Sequence, residues 1–252
     1  MAANAQVSST LVGRRDELEA LMERRRAAAR GYGALVLIEG EAGIGKTRLV
    51  KSFCETLTHG RATFGIGICR EFGNMPFGPI REALRGIGCE TSPPNATTRA
   101  EELIDLRARL AAATRRIAVL VLEDIQWADE GTLSFLHYLL SSVTAMRLLV
   151  VATLREDELL DRNVSTYLSR IARDRATIRI SLGPLPQTEI RSLIRSAPGG
   201  ATLPATQLEE IVERAEGNPF FAEELLATAL EEGPAHVGMR GLPRTVEAAV
   251  ME

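Results

Sequence analysis

The run Gly40-Glu41-Ala42-Gly43-Ile44-Gly45-Lys46-Thr47 fits the spacing G-x-x-x-x-G-K-[ST] at every defined position. The chemistry of that spacing is phosphate binding. Glycines let backbone N–H groups converge on an anion, the positive end of the following helix adds to them, and the Thr47 hydroxyl is placed to ligate a divalent cation. Lys46 and Lys51 are the only lysines in a chain whose positive charge is otherwise carried by arginine. A compact ammonium on a flexible stem can follow a phosphate inside a backbone loop, where a planar guanidinium is too wide. Gly40, Gly43, Ile44, Gly45, Lys46, Thr47 and the adjoining Arg48 are therefore the candidate phosphate-end residues.

A phosphate loop needs a metal partner, and a parallel sheet delivers one at the carboxyl end of another strand beside the loop. The apolar run 117–122 ends in Glu123-Asp124. One carboxylate there would hold magnesium, usually through water, and the other would orient or deprotonate the attacking water. The sequence does not divide these roles, so Thr47, Glu123 and Asp124 all stand as metal candidates. A second apolar run, 147–153, leads to Arg155, which could reach a γ-phosphate by a charge-assisted contact. The alternative for Arg155 is a surface ion pair with Glu156 or Asp157. Lys46, Glu123, Asp124 and Arg155 form the candidate catalytic set. Trp127, the single tryptophan, reads as core packing.

The elements that must position these groups follow from periodicity. Apolar runs at 34–39, 62–68, 117–122, 147–153 and 177–182 read as strands. Helical spacing appears at 14–30, 47–57, 79–87, 98–113 and 130–142, with Thr98 and Glu101 at the spacing of a capping box. Strands that are apolar throughout are buried on both faces, which predicts an α/β parallel sheet with helices on both faces. After residue 184 the pattern changes to helices alone, at 187–196, 203–215 and 220–232. The expected organisation is a flexible N-terminus at 1–10, a phosphate-loop domain at 11–183, a small all-helical subdomain at 184–235, and a further segment at 236–252.

At 252 residues the chain can bury a full core. A net charge of −3 gives no global basic field for nucleic acid or a membrane surface. The cluster Arg24-Arg25-Arg26 reads as the solvated side of a helix. Three cysteines, Cys54, Cys69 and Cys89, lack metal-ligand spacing and suit a reducing compartment. No apolar run approaches the roughly 20 residues a spanning helix needs, so a cytoplasmic location is expected.

Together these motifs resemble the ATPase domain of the STAND class of P-loop NTPases, an AAA-like group, in the form found at the N-terminus of large LuxR-type bacterial transcriptional regulators. Leu11-Val12-Gly13-Arg14 resembles the family's entry box, which implies that Val12 and Arg14 contact the adenine end of ATP or ADP. The stretch from Val119 to Asp129 resembles its acidic strand and the turn beyond, although Glu123 stands where aspartate is usual. Ala152-Thr153-Leu154-Arg155 is similar to its first sensor. Gly217-Asn218-Pro219 resembles the motif whose proline packs near the base, and Leu242-Pro243-Arg244-Thr245-Val246 resembles the entry to a winged helix.

The resemblance implies a slowly hydrolysing switch that uses ATP, ADP and Mg2+. It also implies nucleotide-dependent self-association or contact with a partner protein, with no direct nucleic-acid contact from this chain. The alternatives are a non-catalytic, nucleotide-dependent interaction module; a DNA-binding regulator in its own right, against which the acidic balance argues; and a small-molecule kinase, against which Arg155 and Gly217-Asn218-Pro219 argue.

Overall fold

A computed structural model describes residues 11–58, 62–73, 75–89, 98–156 and 162–232. The expectations for 1–10, for 233–235 of the helical subdomain and for 236–252, and Asp157, lie outside the described residues. The chain divides into two compact units: Asp16–Gly40 with Lys46–Ser181, and a second comprising, within the described residues, 11–15, 41–45 and 182–232. The phosphate loop is thus shared, with 41–45 assigned to the second unit and Lys46 onward to the first.

The first unit is built on five parallel strands, β1 (Ala34–Gly40), β2 (Thr63–Ile68), β3 (Ala118–Glu123), β4 (Leu148–Arg155) and β5 (Thr177–Ser181), in the order β2-β3-β4-β1-β5. Around it lie α1 (Arg15–Ala29), α2 (Lys46–Thr58), α3 (Gly78–Gly86), α4 (Arg99–Ala113), α5 (Glu130–Val143) and α6 (Arg162–Arg173). This is the fold of P-loop NTPases expected from the sequence.

The burial pattern shows why the apolar runs work as strands. Successive strand side chains point to opposite faces. Leu35, Leu37, Leu120, Leu122, Val150 and Ala152 join one core cluster with residues of α3, α4, α5 and α6. Val36, Ile38, Val119, Val121, Leu149 and Val151 alternate with them, lie outside that cluster and are also fully buried. α2, with Leu49, Val50, Phe53 and Leu57 buried, packs on β1, β2 and β4. Each such side chain contributes roughly 1.5–3 kcal/mol of apolar burial.

Full burial holds for β1 and for all but the last residues of β3 and β4. It does not hold for β2 and β5, which are the sheet edges and remain partly exposed. Helix α6 was not expected, yet its Val164, Tyr167, Leu168 and Ile171 pack on the core at helical spacing. The capping box of α4 forms: the Thr98 hydroxyl accepts from the Glu101 N–H at 3.2 Å, and the Glu101 carboxylate accepts from the Thr98 N–H at 3.2 Å.

The second unit holds α7 (Gln187–Ser196), α8 (Ala205–Arg214) and α9 (Pro219–Glu232). Its own core is made of residues such as Ile190, Ile194, Leu208, Ile211, Ala222 and Leu226, with Val12 packed against it. Helix α8 starts at Ala205, not at 203, because Pro204 disfavours helical backbone at the residue before it; Leu203 is extended at φ −64°, ψ 133°. No helix among the described residues is long and apolar enough to cross a membrane.

Candidate functional site

Three strand ends define the charged part of the site. Gly40 ends β1 opposite Arg155 of β4, and β4 pairs in turn with β3, which ends at Glu123. The acids therefore lie one strand away from the loop's own strand rather than next to it. Lys46, buried at the first residue of α2, donates from Nζ to the Gly40 carbonyl at 2.7 Å. Thr47 donates from its hydroxyl to a Glu123 carboxylate oxygen at 2.9 Å, across 76 residues of sequence. Burial raises the Glu123 pKa above the ordinary value; the Thr47 hydroxyl opposes that rise, and the charge on Asp124 adds to it.

Asp124 takes a different set of partners. Its backbone is left-handed at φ 57°, ψ 52°, a conformation that aspartate tolerates better than most residues. Its N–H donates to the Thr153 hydroxyl at 2.8 Å, which pins the turn to β4. Its carboxylate accepts from the Gln126 amide at 3.3 Å and faces the Arg155 guanidinium at 3.6 Å. That guanidinium lies over the Trp127 ring, 4.7 Å from its centroid. Trp127 also packs on the core, so it is both packing and platform. Asp129 closes this stretch as the N-cap of α5, accepting from the Thr132 N–H at 3.0 Å.

The second unit holds a different group of candidates. Arg14, buried, donates to the carbonyls of Ile44 at 3.3 Å and Gly183 at 2.5 Å. Asn218, also buried, donates from its side-chain amide to the Ala42 carbonyl at 3.0 Å, and Pro219 begins α9 just after it. Gly43 has φ +75°, and a Cβ there would lie 2.7 Å from the Phe220 Cβ and 2.9 Å from the Asn218 Oδ1. Arg48, half-buried, follows the exposed Thr47 in the first turn of α2.

Sequence comparison places most of the sheet unit in a family. Residues 10–151, more than half of the chain, match the family model described as AAA ATPase domain. The chain belongs to that family. Among solved structures, this AAA ATPase domain is similar to the Orc1 protein of Aeropyrum pernix in complex with DNA, 17% identical over 99% of this chain and 67% of that one, with a TM-score of 0.62. It is also similar to a Walker-type ATPase of Pyrococcus abyssi, 16% identical over 98% of this chain and 75% of that one, TM-score 0.60. Cdc6p of Pyrobaculum aerophilum is 18% identical over 93% of this chain and 66% of that one, TM-score 0.61. The AAA domain spans about two thirds to three quarters of the length of these proteins, and at such identities the likeness is one of fold. No curated protein matches the chain by sequence.

Three polar residues beside these groups were not among the candidate site residues, although Gln126 and Thr153 lie within stretches that carry the family resemblance. Gln126, buried at 3% exposure, bridges the Asp124 carboxylate and the Arg155 backbone, whose N–H it accepts at 3.2 Å. Thr153 is a hydroxyl in an otherwise apolar strand, and that break in pattern was the available signal. Glu39, buried in β1, accepts from Arg179 of β5 at 2.6 Å. Arg26 of the arginine cluster pairs with Glu19 on α1.

Proposed function

We propose that this chain is an ATP-binding, slowly hydrolysing switch domain, of the kind the sequence resembles at the N-terminus of LuxR-type transcriptional regulators. The observation that carries the proposal is the contact of the Thr47 hydroxyl with the Glu123 carboxylate, while Asp124 is held separately by Gln126 and Arg155. It supports assigning Glu123 with Thr47 to the metal, and Asp124 to the attacking water. A magnesium ion there would supply charge neutralisation at the β- and γ-phosphates. Among the described residues no three or more His, Cys, Asp or Glu side chains converge on one point. That suits magnesium, which is bound by one or two carboxylates together with phosphate oxygens and water.

In this reading Lys46 leaves the Gly40 carbonyl for the phosphates, and Arg155 leaves Trp127 and Asp124 for the γ-phosphate. The loop from Gly40 through Gly43, Ile44 and Gly45 supplies N–H donors, and Val12, Arg14 and Pro219 serve the base end. The partner is nucleotide, with nucleotide-dependent self-association or a partner protein downstream, and the setting is the cytoplasm. Titration calorimetry with ATP and ADP, with and without magnesium, tests it: equal ATP affinity in wild type and Lys46→Ala ends the proposal. A second reading, a non-catalytic nucleotide-dependent module, rests on Glu123 standing where the resembled family has aspartate. Phosphate release clearly above the Lys46→Ala background excludes it.

A further inference from the structure

We propose that Asn218 is a positioning residue of the phosphate loop, whose side chain sets the direction in which the loop's N–H groups point. The proposal rests on the reading that residues 40–47 bind the phosphates of ATP. The Asn218 carboxamide is used at both ends. Its oxygen accepts from the Phe220 N–H at 3.0 Å, which caps the first turn of α9, and its nitrogen donates to the Ala42 carbonyl at 3.0 Å. A capping residue needs the first bond and not the second.

The second bond acts on the loop through the planarity of the peptide. In a trans peptide the C=O of one residue and the N–H of the next point in opposite directions. Holding the Ala42 carbonyl toward Asn218 turns the Gly43 N–H away from it. The Ile44 carbonyl is held in the same manner by Arg14, at 3.3 Å, which fixes the Gly45 N–H. Two alternate loop carbonyls are thereby tethered by side chains of the unit to which 41–45 belong. Donors fixed before the ligand arrives bind an anion without the cost of ordering them.

Gly43 carries the imprint of this approach. The phosphate-loop spacing requires glycine at 40 and 45 but not at 43. A side chain at 43 would collide with Asn218 and Phe220. Glycine at this position is what lets the amide come within reach of the backbone.

The test separates the tether from the cap. Aspartate and serine rank with asparagine as helix N-caps, so Asn218→Asp and Asn218→Ser preserve the first bond. An ionised aspartate has no donor for Ala42, and a serine hydroxyl is too short to serve both partners. On the full chain, calorimetry with magnesium and ATP should show Asn218→Ser weakened about fivefold to tenfold, the weight of one neutral hydrogen bond. Asn218→Asp should be weaker still, because its charge also repels phosphate. Melting temperatures without nucleotide should fall by no more than about 2–4 °C, the shift that one such bond produces in a chain of this size. ATP affinity within twofold of wild type in both variants, or a melting-temperature loss well beyond about 4 °C, overturns the proposal. Failure of wild type to bind ATP, or its binding no better than Lys46→Ala, instead removes the reading on which it rests.

Discussion

Each unit holds its own part of residues 40–47 in a different way. Within the sheet unit the contacts involve formal charges: Lys46 at the Gly40 carbonyl and Glu123 at Thr47, with Asp124 beside Arg155. Within the helical unit they are hydrogen bonds to backbone carbonyls, from Asn218 to Ala42 and from Arg14 to Ile44. In the proposed reading the first set would supply chemistry and the second shape. Charge sets how strongly an anion is attracted, whereas a held carbonyl sets only where the next N–H points, so the two should fail by different amounts and in different measurements.

The largest break should come from the charged unit. Lys46→Ala removes the ammonium, and ATP affinity should fall by about 3 kcal/mol, or ~100-fold and more, in calorimetry, with little change in melting temperature. If Asn218→Ser costs more affinity than Lys46→Ala, the division between chemistry and shape is wrong. Asp124→Asn comes next. Asparagine tolerates the left-handed backbone, so the variant changes charge without moving the turn. Phosphate release should fall about 100-fold or more while ATP affinity stays within about threefold, as expected for a lost proton acceptor.

Smaller effects belong to groups that hold the charged ones. Gln126→Ala leaves the Arg155 N–H and an Asp124 oxygen without their bridge. Turnover should fall roughly tenfold, and unfolding by denaturant should show a stability loss of about 1–3 kcal/mol, typical of a buried partner removed. The smallest effect is a negative one. Burial, reinforced by nearby carboxylates, pushes Cys69 up to about 12 and Cys54 up to about 11. At pH 8 the Cys54 thiolate fraction is then on the order of one in a thousand, and that of Cys69 lower. Mass spectrometry of native protein treated with iodoacetamide should find both unmodified over hours; rapid labelling would mean that the unit opens.

The charged constellation was legible because each member has a local signature. Lys46 and Thr47 sit in a fixed spacing, and Glu123, Asp124 and Arg155 follow apolar runs that could only be buried strands. The shape-setting contacts had no such signature. Asn218 reaches Ala42 across 176 residues, and nothing in the tripeptide Gly217-Asn218-Pro219 states which carbonyl its amide will find. Strand order was equally silent, since apolar content does not tell that β4 lies between β3 and β1, or that β2 and β5 are edges. The helix α6 went unread for a different reason: its apolar residues, Val164, Tyr167, Leu168 and Ile171, were hidden among arginines and serines.

The stacking of Arg155 on Trp127 gives the molecule an optical consequence. The chain has a single indole, so its fluorescence comes from one place, and that place carries a cation 4.7 Å above the ring. An event that draws the guanidinium off the ring changes the polarity and quenching felt by that one fluorophore. Emission on selective excitation therefore reads out the position of Arg155 without any label. A stopped-flow trace with ATP against ADP would then time the departure of the arginine separately from the appearance of free phosphate.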